Sequence, residues 1–448
     1  MKPFALQLYR LAVVAMIAWL IRDLAVRQRT HGDSPVAVDE VKSFFPSAAN
    51  LRPDDSARDG LFVRDRDGRE LGYVVRTQPQ CQDIIGYAGA TDVLVVLDRD
   101  WKIVGLKIHA SDDTADYVTN IAVDRRFLKK WHGLAWTAAA DLDLQKAGIE
   151  GVSGATMTSM AIARSVKARL QMNRNEIVAR PALRFAWRDW GMIAVLVLAV
   201  VMAFGRPEWR HRWKRPYQIL LVVYVGFVAG DLLAMKLLAG WARSGVPWST
   251  APGLVLLAAA ALVVPWATRK PIYCHHICPH GAAQELLWQF RVGRAFRARP
   301  IPQPPAQPGA DRPAHLTPSP FRSITLPAGV IRACEYLPAG LLLLTLIVAV
   351  LALPLDLAGI EPFAAYVVRS AGWATLAVAG VGLIASFFVP QAYCRFGCPT
   401  GTLLNFVRAR GPTDRFSRRD GVALFLLIVA AALNWQYLSL IGWMKGVT

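Results

Sequence analysis

The sequence predicts an α+β extracytoplasmic domain fused to an all-α polytopic membrane bundle of six helices plus an N-terminal anchor. Of the 448 residues, 54% are hydrophobic. The apolar residues after Asp189 fall into six runs, each near the roughly 20 residues that a helix needs to cross a hydrocarbon core. Before Asp189 the chain shows β-branched runs separated by Gly and Asp, a pattern typical of antiparallel strands. These observations divide the chain into an outer domain and a membrane half.

The predicted spans lie at about 190–205, 217–239, 252–268, 336–355, 372–389 and 421–441, within a bundle assigned to 189–442. A further apolar stretch near 4–22 is interrupted by Gln7 and Arg10. No small-residue cleavage site follows this stretch, so we interpret residues 1–30 as an uncleaved anchor rather than a signal peptide.

Basic residues in the connections predict the orientation. The loops 206–216, 269–335 and 408–420 hold most Lys and Arg of the membrane half, whereas 240–251 and 356–371 hold one Arg each. The positive-inside rule places the first three loops in the cytoplasm. We therefore expect a bacterial inner (cytoplasmic) membrane protein with its outer domain in the periplasm. The basic cytoplasmic loops then account for the net charge of +19, and no nucleic-acid partner is expected.

The outer domain is assigned to residues 34–175. Strands are predicted at 61–65, 68–77, 92–98 and 102–110, with helices over 115–133 and 158–172. In the last helix, Ile162, Val166 and Leu170 form an apolar stripe, and Arg164, Lys167 and Arg169 are expected to point away from it. A Pro-rich piece at 299–320 has no periodicity and is interpreted as a cytoplasmic loop within the bundle.

The stretch EGVSGATMTS (150–159) precedes the last predicted helix of the outer domain. A Gly-Ala pair lets the backbone approach a ligand closely, and the free amides at a helix N-terminus attract phosphate. The alternative is an ordinary helix N-terminus rich in Ser and Thr.

The membrane half contains a repeat. PIYCHHICPHG (271–281) and QAYCRFGCPTG (391–401) share Tyr-Cys-x-x-x-Cys-Pro-x-Gly and would present four thiols on one side of the membrane. Cysteines four apart face the same way in a helical turn, and the basic surroundings favour thiolates, the form that binds metal. Three roles of these cysteines remain open: ligands of an iron–sulfur cluster, ligands of zinc, or buried structural residues. His275, His276 and His280 could bind zinc in the first copy and have no counterpart in the second. Cys81 and Cys334 stand alone and are expected to be inert.

Ser153-Gly154-Ala155-Thr156, preceded by Glu150-Gly151, resembles the acceptor motif of FMN-binding domains in the extracytoplasmic subunits of Nqr and Rnf complexes. The resemblance implies FMN joined covalently to Thr156 through a phosphoester by a flavin transferase. It also implies a phosphate surrounded by Ser153, Gly154, Ala155 and Thr158. Glu150 stands where such families usually have Asp. Asp113 and Thr114, which follow a strand, are expected to form another wall of the pocket.

Together the motifs resemble the NosR/NirI family of membrane flavo-iron–sulfur proteins, over nearly the whole chain. This implies an iron–sulfur cluster, expected to be 4Fe-4S, held by Cys274, Cys278, Cys394 and Cys398. The second cysteine pair also resembles NapH-type quinol-linked proteins. The family's usual C-terminal ferredoxin motifs do not follow the last predicted helix, so a separate ferredoxin subunit is an expected partner.

The sequence thus predicts an electron-transfer component rather than a stand-alone catalyst. It would relay electrons between a quinone or cytoplasmic donor, the iron–sulfur centre and periplasmic FMN, in support of an extracytoplasmic reductase. The alternative is a redox-sensing regulatory or maturation factor for such a reductase. With flavin outside and thiols inside, most of a bilayer of about 30 Å would separate them, which requires a relay. Asp231, in a predicted span, is a candidate functional carboxylate; the alternative is interhelical hydrogen bonding.

Overall fold

The computed structural model describes residues 3–31, 35–172 except 55 and 57, 185–297 except 249, 328–367 except 352, 354 and 356, 371–410 and 414–436. The predicted Pro-rich loop 299–320 lies outside these described residues. The first element is the long helix α1 (Pro3–His31). The outer domain and the helical bundle follow it in the chain.

The outer domain is built on an antiparallel sheet of five strands in chain order. The four predicted strands are confirmed, and the sheet has an additional first strand with exposed ends that the sequence pattern did not indicate. Pro53 lies in this edge strand, where a missing amide hydrogen is tolerated. The strands are β1 (Asn50–Pro53), β2 (Leu61–Arg64), β3 (Glu70–Arg76), β4 (Thr91–Leu97) and β5 (Ile103–Ser111).

Short helices flank this sheet, and one long helix carries the Ser-Gly-Ala-Thr motif at its start. The predicted helix over 115–133 is interrupted, because the Asp124 side chain accepts hydrogen bonds from the amides of Arg126 and Phe127 and begins a new helix. The helices are α2 (Val38–Val41), α3 (Ala115–Val123), α4 (Arg125–Lys129), α5 (Trp136–Ala140) and α6 (Thr156–Gln171).

Helix α6 begins two residues earlier than predicted, at Thr156. Its apolar stripe is confirmed, since Ile162, Val166 and Leu170 are buried. The prediction that Arg169 points away from the core is wrong: its side chain is buried, and its guanidinium donates to the carbonyl oxygens of Arg76 (2.8 Å) and Arg58 (2.7 Å). The same guanidinium also donates to the carbonyl of Asp59 (3.1 Å), so the residues before β2 contact this side of the helix.

In the described part of the chain, three helices are long and apolar enough to cross a membrane, at Phe4–Gln28, Trp187–Phe204 and Cys334–Leu351. Shorter apolar helices occur at Pro252–Thr268 and Trp373–Phe388. A membrane location is therefore supported, whereas the predicted six spanning helices are not all of that length. The bundle helices are α7 (Trp187–Phe204), α8 (Pro207–Leu220), α9 (Met235–Ser244), α10 (Pro252–Thr268), α11 (Ile272–His276), α12 (Pro279–Arg297), α13 (Ala328–Leu351), α14 (Trp373–Phe388), α15 (Ala392–Phe396), α16 (Pro399–Val407) and α17 (Arg418–Trp435).

The predicted span at 217–239 is not one helix, and the predicted loop 206–216 is helical. Helix α8 continues as a π-helix over Leu221–Ala229, which ends at Gly230 with φ of 68°. The next four residues are non-helical before α9 begins. Tyr87 donates a hydrogen bond to the carbonyl of Leu232 (2.7 Å), and the amide of Leu233 donates to the hydroxyl of Tyr273 (2.9 Å). Irregular backbone inside a bundle persists where protein groups satisfy it in this way.

The predicted N-terminal anchor is an integral helix of the bundle. Helix α1 packs against α9 and α17. Arg10, which interrupts its apolar run, is completely buried and forms ion pairs with Asp414 (2.6 Å) and Asp420 (2.7 Å). A buried charge is tolerated when it is paired and hydrogen-bonded, so this network explains an arginine within the apolar stretch.

The outer domain docks closely on the bundle. Besides the Tyr87 bond to Leu232, the indole of Trp241 donates to the carbonyl of Tyr87 (3.2 Å). A Cβ atom at Gly240 would lie 2.0 Å from the carbonyl oxygen of Ala88, so the backbones meet without an intervening side chain. This contact brings the motif at the start of α6 against the broken helix.

Candidate redox site

A cavity of about 340 Å³ lies between the outer domain and the bundle. Its volume is within the range of about 300–1,000 Å³ that is usual for small-molecule and cofactor pockets. The outer-domain wall consists of Tyr87, Tyr117 and residues 153–158, and the bundle wall consists of Arg188, residues 227–231, Tyr366 and Val367. The predicted motif therefore lines a pocket that two parts of the chain share.

Thr156 is the first residue of α6, so its hydroxyl lies beside helix amides that have no intrahelical partner. The hydroxyl donates to the carbonyl of Val152 (3.2 Å). Gly154 has φ of 88°, a conformation that favours glycine, and a Cβ at Gly151 would lie 2.3 Å from Cγ2 of Thr156. Ser153, Gly154 and Ala155 line the cavity with Thr156. These residues fit a phosphate-bearing cofactor, since the first residues of α6 and the hydroxyl-bearing Thr156 line the same cavity.

Asp113 does not line this cavity but lies one layer behind it. Its carboxylate accepts hydrogen bonds from the Thr158 hydroxyl (2.7 Å) and from the amides of Tyr87 (2.9 Å), Ala88 (3.0 Å) and Thr114 (2.7 Å). Burial raises the pKa of Asp113, while these hydrogen bonds act in the opposite direction. Asp113 thus fixes Thr158 and the Tyr87 loop rather than forming the wall that the sequence predicted.

Two other predicted residues lie away from the main cavity. Glu150 is exposed and is not among its lining residues. Thr114 faces a smaller adjoining cavity of about 20 Å³, together with Tyr87 and Glu361. Its hydroxyl is buried and has no hydrogen-bond partner among the described residues. Neither residue lines the cavity that contains Thr156.

The bundle wall contributes opposite charges and aromatic rings. Arg188 is the cation of the wall and Asp231 its carboxylate. The rings of Phe227 and Tyr366 lie 5.4 Å apart between centroids. A cation suits the negative charge of a phosphate, and aromatic faces suit a flat ring system. Of these residues only Asp231 was identified from the sequence, as a carboxylate within an apolar run.

Each cysteine motif folds as a one-turn helix followed by a longer helix. The first cysteine of each pair lies in α11 or α15, and the second precedes the proline that begins α12 or α16. The predicted single helical turn is therefore wrong, because α11 ends at His276 before Cys278 is reached. The amides of Gly281 and Gly401 donate to the sulfurs of Cys278 (3.5 Å) and Cys398 (3.1 Å).

The two motifs come together in the interior of the bundle. A Cβ at Gly281 would lie 3.8 Å from the sulfur of Cys394, so the first motif touches the second. The side-chain amide of Gln284 donates to the same sulfur (3.2 Å), and its oxygen accepts from the Tyr393 amide (3.2 Å). Two helix N-termini, at α12 and α16, point their amides at this site. Such donors to sulfur stabilise an anionic iron–sulfur cluster, which these residues therefore fit.

Burial opposes the predicted effect of the basic surroundings, because it raises the pKa of the Cys274 and Cys394 thiols. No group of three or more His, Cys, Asp or Glu in the described part of the chain is arranged to hold a single metal ion. His280, one of the residues considered for zinc, instead contacts the hydroxyl of Tyr366 through Nδ1 (3.2 Å).

The two sites are much closer than the sequence predicted. Tyr366 lines the flavin-side cavity and contacts His280, two residues after Cys278. Along α14, Gly372 donates to Asp116 of the outer domain (3.1 Å), whereas Gly382 contacts His280. These glycines are ten residues apart, or roughly 15 Å of helix. Tyr366 and His280 thus connect the two sites through side-chain contacts, whereas the sequence predicted that most of a bilayer separates them.

Several residues at the sites were missed. Glu361 is buried and accepts hydrogen bonds from the Thr400 hydroxyl (2.7 Å) and the Met235 amide (2.6 Å). It thereby ties the second cysteine motif to the start of α9. Tyr366 and Glu361 lie in a connection without periodicity, so no sequence pattern indicated them. His280 stands inside a motif but was considered only as a metal ligand.

Fold and site together define a membrane-associated protein with two adjoining redox-cofactor sites, one suited to a flavin and one to an iron–sulfur cluster. Family models agree with this class. The model described as FMN-binding domain matches residues 86–171, and the model described as 4Fe-4S binding domain matches residues 250–297 and 371–419. The chain therefore contains an FMN-binding domain and a 4Fe-4S binding domain in two copies, as the sequence indicated. Searches of curated proteins and of solved structures found no match.

Proposed function

We propose that this protein is a NosR-like electron-transfer component of the bacterial inner membrane. It relays electrons between a quinone or cytoplasmic donor, a 4Fe-4S centre on Cys274, Cys278, Cys394 and Cys398, and FMN joined covalently to Thr156. The observation that carries this proposal is the continuity of the two sites through Tyr366 and His280. A bound flavin supplies two-electron chemistry that can proceed in single steps.

The residues divide the work of binding. Thr156 offers the hydroxyl for the phosphoester, and Arg188 offsets the phosphate charge. Phe227 and Tyr366 provide ring faces on the bundle side. The expected electron acceptor or donor on the outer side is an extracytoplasmic reductase. A flavin transferase is the partner that this attachment requires.

A second cavity supports the quinone as a donor. It measures about 410 Å³ and is lined by apolar residues of α1, α9, α13 and α17, such as Val13, Leu346 and Leu426. Its lining also includes Thr402, whose hydroxyl donates to the carbonyl of Cys398 (3.1 Å). An apolar pocket that adjoins a cysteine loop suits a hydrophobic redox partner in the membrane.

The attachment is tested by exchanging Thr156. Thr156→Val keeps the shape but removes the hydroxyl, and it should abolish flavin fluorescence of the protein band on a denaturing gel. Thr156→Ser retains a hydroxyl and serves as the matched control. Fluorescence that persists in the valine variant would place the covalent bond elsewhere.

The relay is tested on purified full-length protein with duroquinol as the electron donor under anaerobic conditions. Bleaching of the visible flavin band is expected in the wild type and should be lost in Cys394→Ser, together with iron and sulfide. The regulatory alternative predicts a different pair of results. Cells that express Thr156→Val would lose the transcript of a reductase, and duroquinol would not bleach the flavin band of the purified wild type. That pair would reject the relay.

A further inference from the structure

Tyr366 belongs to both sites. Its ring lines the flavin-side cavity and packs against Phe227 with centroids 5.4 Å apart. Its hydroxyl lies 3.2 Å from Nδ1 of His280. The Tyr366 side chain therefore spans the distance from the cavity to His280, two residues after Cys278.

His280 lies between the two cysteine motifs. It is 1% exposed, follows Cys278 by two residues, and meets the ring of Tyr393 edge-on with centroids 5.3 Å apart. Tyr393 directly precedes Cys394. A Cβ at Gly382 would lie 3.3 Å from Nε2 of His280, so the backbone of α14 closes over the imidazole. The nitrogen Nε2 is buried and has no hydrogen-bond partner among the described residues.

A second connection between the sites is longer. Tyr87, on the outer-domain wall, donates to the carbonyl of Leu232 (2.7 Å), and the amide of Leu233 donates to Tyr273 (2.9 Å), the neighbour of Cys274. This connection crosses two hydrogen bonds and a stretch of main chain. The connection through Tyr366 and His280 crosses one hydrogen bond and lies between aromatic rings. Since electronic coupling weakens with each non-covalent step, the shorter connection is the better one.

We propose that Tyr366 and His280 form the main path by which single electrons cross between the flavin cavity and the cysteine site. The inference rests on the proposed function. In each crossing one cofactor is oxidised by one electron and the other is reduced by one. No covalent bond is made or broken, and both side chains end unchanged. Tyr366 and His280 are therefore positioning residues for transfer, not ligands of the cluster.

Flash photoreduction with EDTA as the sacrificial donor places one electron on the flavin of the purified full-length protein. The flavin and cluster absorption bands then report the transfer. Tyr366→Leu removes the ring and should slow the transfer at least about tenfold. Tyr366→Phe keeps the ring but loses the hydrogen bond, so its rate should fall between those of the leucine variant and the wild type.

Tyr273→Phe tests the longer connection. It removes the hydrogen bond from the Leu233 amide, which also supports the broken helix, and it should change the rate by less than about twofold. Flavin per chain, iron per chain, both midpoint potentials and the electron paramagnetic resonance spectrum of the reduced cluster should match the wild type in Tyr366→Phe, which keeps the ring that lines the flavin cavity. In Thr156→Val protein from which any non-covalently bound flavin has been removed, Tyr366→Leu should leave that spectrum unchanged. A merely structural role for Tyr366 would alter these properties.

A wild-type rate in Tyr366→Leu, or slow transfer in Tyr273→Phe alone, would overturn the proposed path while leaving the relay intact. If the leucine variant does not retain flavin, the phenylalanine variant decides: slower transfer supports the path, and an unchanged rate rejects it. Absence of any transfer in the wild type would instead reject the proposed function.

Discussion

At the scale of single residues, the buried carboxylate of Asp113 organises the flavin-side pocket. It collects a hydroxyl and three backbone amides that would otherwise lie buried without partners. The sequence identified Asp113 by its place after a strand. Its role behind the cavity, and not in the cavity lining, depends on a hydrogen bond from Thr158, 45 residues further along the chain. A contact of that separation has no local sequence pattern. Thr156 differs, because its motif is contiguous and was identified directly.

Asp113→Ala should destabilise the outer domain and weaken flavin retention. Each buried donor left without a partner costs about 1–3 kcal/mol, so a loss of at least about 2 kcal/mol in the free energy of unfolding is expected. Thermal unfolding of the full-length protein in detergent measures this loss, with flavin content as a second readout. Asp83→Ala, at an exposed position of the same domain, should leave both unchanged. Equal melting temperatures for the two variants would refute the supporting role of Asp113.

At the scale of elements, the structure explains why each Tyr-Cys-x-x-x-Cys-Pro-x-Gly motif ends in glycine. Gly281 and Gly401 each stand three residues after the second cysteine and donate their amides to its sulfur. A Cβ at Gly281 would lie 2.9 Å from the carbonyl oxygen of Cys274. The repeat was predictable from the sequence because each copy is a motif of contiguous residues. The helix break after Gly230 was not predictable from the sequence, since apolar residues continue on both sides of the break.

Gly281→Ala should therefore lower the iron and sulfide content of the purified protein. The added methyl group forces a backbone shift, and overpacking of this kind costs about 1–3 kcal/mol. Gly380→Ala in α14 is the control, because no atom lies within 4 Å of the methyl group it adds. Iron analysis distinguishes the two. A full iron complement in Gly281→Ala would mean that the glycine is not required by the site.

At the scale of the whole molecule, the outer domain and the bundle share one site. Tyr87 and Trp241 connect them through hydrogen bonds of 2.7 and 3.2 Å to backbone carbonyls. The sequence predicted both parts and their order, but it placed the flavin and the thiols on opposite sides of the bilayer. Hydropathy reports which residues are apolar; it does not report that the loops of α11 and α15 fold inward. The periplasmic orientation of the outer domain stays a prediction from the charges of the loops.

Tyr87→Phe should loosen the docking of the outer domain on the broken helix. Loss of the hydrogen bond leaves the Leu232 carbonyl buried without this donor, at a cost of about 1–3 kcal/mol. Hydrogen–deuterium exchange of residues 230–234 should then rise. Tyr336→Phe, at an exposed position on α13, should leave that exchange unchanged. Unaltered exchange in Tyr87→Phe would show that other contacts hold the domains together.

The inward folding of the cysteine loops also constrains how the molecule is assembled. Cys278 and Cys398 are only 6% and 7% exposed, beneath the helices that begin beside them. An iron–sulfur cluster held at these sulfurs, as proposed, would be shielded from solvent by the same helices. Insertion of iron and sulfide into the folded chain would then require these helices to move apart.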